Sequence, residues 1–99
     1  MNTYEDMQAL REFVIEHALP KSDMALFGVK CPYCGKSDRI RKLEAPADLP
    51  GKLDPNGLKT YTELWSNLTL SYGSLGVCKF CHNLLEVIHG KSEAEALSE

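Results

Sequence analysis

Long apolar runs are missing from this chain. The longest, Met24–Phe27, falls far short of the roughly 20 residues that a membrane-spanning helix needs, so no membrane association is expected. No charged-then-apolar leader with a small-residue cleavage site opens the sequence; the expectation is therefore no secretion signal and a cytoplasmic location. The sequence has no glycine-rich phosphate loop, no Ser-His-Asp order and no pair of positioned acids, and the expectation is that the protein is not an enzyme. A basic excess is also lacking. The formal net charge is −3, which argues against a non-specific nucleic-acid binder. No proline follows Pro55, an absence that bears on the cysteines below.

What is present fits one soluble domain. The chain has 99 residues, 43% apolar and 25% charged, enough for a single core but leaving thin net stability. Domains of this size often add a metal, disulfides or a second copy. Four cysteines are available, and two disulfides would be unusual in the cytosol. Charge is unevenly placed: residues 28–42 hold five cations (Lys30, Lys36, Arg39, Arg41 and Lys42) against Asp38, whereas every other stretch is net acidic.

Thr3 followed by Asp6 resembles a capping box, and Met7, Leu10 and Val14 recur at helical spacing until Pro20. This predicts an amphipathic N-terminal helix within residues 1–20, over about 3–19. Its apolar stripe packs on the domain, or binds a partner or a second copy. A connector over 21–30 is expected to end as a short strand through Ala25–Val29, with turn chemistry at Gly35–Asp38 and an edge strand over Arg39–Glu44. Ala45–Gly57, with three prolines and two glycines, reads as a long irregular loop. For 59–68 the capping pair Thr60/Glu63 and the spacing of Tyr61, Leu64, Trp65 and Leu68 favour a short helix giving way to a strand near Leu68; one strand over 61–72 is the competing reading. Leu84–His89 is the clearest strand, ended by Gly90, and 91–99 has so little to bury that it reads as a flexible tail.

The chemistry lies in Cys31-x2-Cys34 and Cys78-x2-Cys81, separated by 43 residues. Two cysteines with two residues between them wrap one tight turn around an ion and occupy two corners of a tetrahedron. A second such turn supplies the other two. Gly35, directly after Cys34, suits a backbone conformation that only glycine reaches cheaply. The rival is a redox dithiol. Glutaredoxins share the chain length and the Cys-Pro-Tyr-Cys letters, but their fold requires a downstream cis-proline and a helix beginning at the second cysteine. Here no proline follows Pro55, turn residues follow Cys34, and the second pair would go unexplained. Zinc is the favoured reading. With four cysteines closing the shell, the zinc would be structural; His82 replacing Cys81 as a ligand is the lesser alternative, and His17 and His89 read as isolated packing or surface residues.

"VKCPYCGKSDRI" and "GVCKFCHNLLEVI" resemble the two knuckles of the zinc-ribbon superfamily. The resemblance implies a small α+β fold with a three-stranded antiparallel sheet, both knuckles at one end, and one structural Zn²⁺ on Cys31, Cys34, Cys78 and Cys81. The whole chain, 1–99, is then one domain: an N-terminal helix within 1–20, a ribbon over 29–90 with an inserted loop and helix over 45–67, and the tail. His82 stands where the second knuckle commonly has glycine, so that turn is expected to be less regular.

Three roles follow as expectations. The first is a non-catalytic accessory or regulatory module that docks on a protein partner, such as transcription-related machinery. Trp65 and Tyr61 are its candidate anchors unless they serve as core. The second is nucleic-acid binding through 30–42, using Lys36, Arg39, Arg41 and Lys42; the alternative is that these cations balance the thiolates. The third is thiol redox or zinc sensing. Self-association through the N-terminal helix is also open.

Overall fold

In the computed structural model, which describes residues 2–22, 24–70 and 73–97, the local signals at Thr3 set the first element. Helix α1 spans Tyr4–Glu16, and the Thr3 hydroxyl accepts from the Asp6 N–H, satisfying one donor of the first turn. The helix ends before the expected Leu19. Ala18 takes a left-handed φ of 52°, its N–H donates to the Ile15 carbonyl, and the Leu19 N–H reaches back to Val14. That pairing caps the last carbonyls and turns Leu19 into the core, where it is 1% exposed.

Four antiparallel strands form one sheet in the order β1-β2-β3-β4: β1 Ile40–Lys42, β2 Ser74–Cys78, β3 Leu84–Val87 and β4 Glu95–Ala96. This is one strand more than the ribbon resemblance implies. The extra strand comes from the segment read as a tail. Its composition is polar, but Ala94 and Leu97 are buried, and β4 pairs with β3 through Leu85 and Glu86. Residues 91–97 are thus structural; Ser98 and Glu99 lie outside the described residues.

The segment between β1 and β2 departs from the expected loop. Pro46–Asp48 forms a single 3₁₀ turn, and helix α2 runs over Pro55–Ser66. The Asp54 carboxylate accepts from the Gly57 N–H and Pro55 occupies the first turn, so the cap lies here and Thr60/Glu63 fall inside the helix. No strand begins at Leu68. The Asn2 side chain instead brackets Thr69, donating to its carbonyl and accepting from its N–H; residues 71–72, part of the competing strand reading, are outside the described set.

Both faces of the sheet are covered. Leu75, Val77, Leu84 and Leu97 meet α1 and α2 in one core with Leu10, Phe13, Val14, Leu19 and Tyr61. Tyr61 is fully buried, stacks on Phe13 at 5.5 Å, and its hydroxyl donates to the Glu44 carbonyl at 2.5 Å. On the other face Cys31, Ile40, Cys78, Leu85 and Ala94 form a second core, with Leu26, Val29 and Val87 against it. Gly76 lies between them where a Cβ would come within 2.8 Å of Val87 and 3.0 Å of the Arg41 carbonyl, so no larger residue fits.

Residues 25–30 are not the regular strand expected from the sequence. They touch both edges of the sheet: Ala25 bridges to Arg41 beside β1, and Lys30 bridges to Glu93 just before β4. The Lys30 N–H donates to Ser92 and its carbonyl accepts from Ala94. The backbone thereby runs across the second core from one edge of the sheet to the other, pairing groups at both. The residue after Lys30 is Cys31, so the C-terminal segment holds the stretch of backbone that delivers the first cysteine.

Candidate metal centre

Each cysteine pair sits on a tight turn built by the same bonds. In the first, the Gly35 N–H donates to the Cys31 carbonyl and the Cys31 N–H to Lys36. In the second, the His82 N–H donates to Cys78 and the Cys78 N–H to Asn83. The positions correspond throughout, and Gly35 and His82 have left-handed φ values of 76° and 61°. The expected irregularity at His82 is absent from the backbone. Histidine is among the few non-glycine residues that enter this region with some frequency.

The turns bring the four sulfurs together. All lie within 4.8 Å of one another, with Cys31–Cys81 and Cys34–Cys78 each at 3.7 Å. A disulfide needs about 2.05 Å, and all four cysteines are free. A tetrahedron with metal–sulfur bonds of about 2.3 Å has edges of about 3.8 Å, close to the two shortest separations. The donor set and spacing therefore suit a metal ion and are compatible with zinc. One cysteine of each pair, Cys31 and Cys78, is buried; Cys34 and Cys81 are half-buried.

Backbone N–H groups are aimed at the sulfurs: those of Cys34 and Tyr33 at Cys31, of Cys81 and Phe80 at Cys78, and of Lys36 at Cys34. At Cys81 the Asn83 side-chain amide takes the corresponding place, 3.4 Å from the sulfur. Such donors offset the negative charge of bound thiolates. Without a metal, burial pushes the Cys31 thiol up to about 12 and raises Cys78, whereas the Lys36 N–H lowers Cys34.

A second layer ties the site to α1. Arg11 donates through Nε to the His82 carbonyl at 2.9 Å and through Nη2 to the Cys81 carbonyl at 3.3 Å. This clamp places a cation beside the centre and fixes the second turn against the helix. Neither the helical spacing nor the cysteine motif points to it, because the partners are backbone carbonyls 70 and 71 residues away.

The remaining site residues do not form one patch. Lys36 lies over the Phe80 ring, with Nζ 4.6 Å from its centroid. Arg39 is exposed beside the second turn, its carbonyl accepting from the Lys79 N–H. Arg41 is half-buried and donates to the Asp38 carbonyl. Lys42 lines a groove of about 210 Å³ with Val29, Val87 and His89, on the side of the second core. Trp65 is on α2, half-buried and edge-on to Tyr61 at 5.6 Å. The sequence reading overlooked the aromatic in the third position of each motif: Tyr33 is 47% exposed and Phe80 57%. Their matched places in Cys-Pro-Tyr-Cys and Cys-Lys-Phe-Cys are the signal that would have found them.

Family models, curated proteins and solved structures were each searched, and none matches this chain. No helix among the described residues is long and apolar enough to cross a membrane.

Proposed function

We propose that the chain is a non-catalytic zinc-ribbon module, in which one structural Zn²⁺ on Cys31, Cys34, Cys78 and Cys81 holds a surface that docks on a protein partner. Four thiolates would fill every coordination position and leave none for a water or substrate. The observation that carries the docking role is the pair of exposed rings, Tyr33 and Phe80, at matched positions on the two turns. Aromatic side chains held on rigid turns lose little entropy on binding and are favoured interface anchors. Trp65 and Tyr61 serve the first core instead.

A tagged, zinc-loaded chain and its Tyr33→Ser/Phe80→Ser variant, passed through lysate with and without nuclease, test this reading. A protein retained after nuclease by the parent chain and lost by the variant, at unchanged zinc content and circular dichroism, is the expected result. Equal retention by both would refute it. The second reading, a nucleic-acid-binding ribbon, draws on Lys30, Lys36, Arg39 and Lys42. None of these has a carboxylate partner among the described residues. Recovery of nucleic acid that is lost with salt and with Arg39→Ala would favour it.

A further inference from the structure

Phe27 is the most exposed large apolar residue described, at 85%, with Met24 at 75%. Its position is not slack. The Leu26 N–H donates to the Ile40 carbonyl at 2.9 Å, and the Gly28 N–H to the Asp38 carboxylate at 2.7 Å, so the turn carrying Phe27 is fixed beside Asp38 and Arg39. Arg39 in turn neighbours Lys79 through the Lys79 N–H bond to its carbonyl, and the next residue is Phe80, under Lys36. Adjacent strands are about 4.8 Å apart, which puts the backbones at Phe27 and Phe80 on the order of 10 Å from each other with Arg39 between.

We propose that Phe27, Lys36, Arg39 and Phe80 form the docking site for an acidic, partly apolar segment of a partner protein. This rests on the protein-docking reading above and names the surface and the partner's chemistry.

Charge complementarity selects the occupant. Lys36 and Arg39 are exposed and have no carboxylate partner among the described residues, and Asp38, the one acid within residues 28–42, is engaged with Gly28. Arg11 already supplies a cation at the metal centre, so these two are not needed at the second turn's carbonyls. The two rings supply apolar area that a purely ionic partner would leave in water. A polynucleotide suits the site less well. Its charge repeats along its whole length, whereas the basic stretch is short, Lys42 is on the side of the second core, and exposed Glu5, Glu12 and Glu16 line α1. A short acidic segment meets only the cations.

The test is fluorescence anisotropy of the full, zinc-loaded chain with a labelled peptide of Asp, Glu, Leu and Phe residues. Controls are the same peptide with its acids changed to amides, and a labelled oligothymidylate of equal charge. The acidic peptide is expected to bind at least tenfold tighter than its amide version and to weaken with salt. Lys36→Gln/Arg39→Gln should cost about tenfold, and Phe27→Ser several-fold, at unchanged zinc content and circular dichroism. Equal binding of the two peptides, indifference to these variants, or tighter binding of the oligothymidylate would each overturn the proposal. So would concentration-dependent sedimentation lost in the same variants, because the site would then hold a second copy. If the peptide fails while lysate capture still depends on Tyr33 and Phe80, only this inference falls; if both fail, the docking reading falls with it.

Discussion

Leu97→Ala decides between two descriptions of the C-terminal segment. As part of a flexible tail, Leu97 would contribute nothing and its truncation would be silent. In the structure it is 6% exposed, packed in the first core one residue beyond β4. Removing a buried leucine side chain costs about 2–5 kcal/mol, and a site at the end of a strand, where neighbours collapse more readily, should lie near about 2. That is a large share of the roughly 5–15 kcal/mol expected for a domain of this kind. The effect should also reach the metal. Ser92 and Ala94 bond both backbone groups of Lys30, so undocking the C-terminal segment frees the backbone that leads into Cys31. A loss of about 2 kcal/mol raises the undocked population about 30-fold, since about 1.4 kcal/mol is a factor of ten. If the metal leaves through that opening, its release to a chelator should quicken by a similar factor. Urea denaturation of the zinc-loaded chain reads the first quantity, and stopped-flow transfer to a chromophoric chelator the second. Leu97→Met, which keeps the volume, is the control. A midpoint equal to that of the parent chain would refute the packing argument; a lowered midpoint with unchanged release would refute the coupling to Cys31 alone.

Four further expectations can be checked in the same way. His82→Gly and Ala18→Gly should each stabilise the fold by about 1 kcal/mol in urea titrations, because both residues hold left-handed φ values at a side-chain penalty of about that size; destabilisation by either would show that its side chain does more than tolerate the turn. Tyr61→Phe should cost about 1 kcal/mol by leaving the Glu44 carbonyl without its donor, measured by thermal unfolding. Zinc uptake should release protons from Cys31 and Cys78, which burial keeps as thiols, seen as a buffer-dependent enthalpy in calorimetry and as affinity that rises with pH. In the metal-free chain the sign reverses: unfolded thiols ionise near 9.0 while buried ones stay protonated, so stability should fall as pH climbs through that value, and a flat pH profile above 8.5 or so would contradict the burial argument.

The residues whose role depends on near neighbours were the legible ones. Thr3 caps α1 through a bond to a residue three positions away, and each cysteine pair builds its own turn. The pairing of the two turns followed from the chemistry of four soft ligands. The misreadings have two origins, ambiguous local composition and partners far along the chain. Asp54 and Pro55 start α2, but they sit in a stretch whose prolines and glycines resemble loop composition until one asks which carboxylate caps which N–H. Ala94 and Leu97 look like tail residues because what holds them, Lys30 for Ala94 and the core on α1 and α2 for Leu97, is distant in sequence. Arg11 could not be assigned at all, since main-chain carbonyls carry no residue signature.

The same long-range bonds explain why so small a chain can present exposed aromatic rings. A ring left half in water lowers solubility and contributes less to folding than a buried one, so it is best tolerated where the backbone beneath is fixed by other contacts. Here the cores on the two sheet faces, the Arg11 clamp and the Lys30 bonds to Ser92 and Ala94 hold both turns. A metal on the four sulfurs would add a cross-link between residues 31 and 81 at the point where those constraints meet. On the docking reading, stability and recognition would fall to different atoms of the same turns: the cysteine sulfurs converge on the centre, and the ring before the second cysteine of each pair keeps about half of its surface exposed. Substitutions at Tyr33 and Phe80 should therefore change binding and cost no more than about 1 kcal/mol of stability, the scale of an exposed ring contact such as that of Lys36 on Phe80. A larger loss in a urea titration would mean that the rings brace the metal turns, and the docking role would lose its main support.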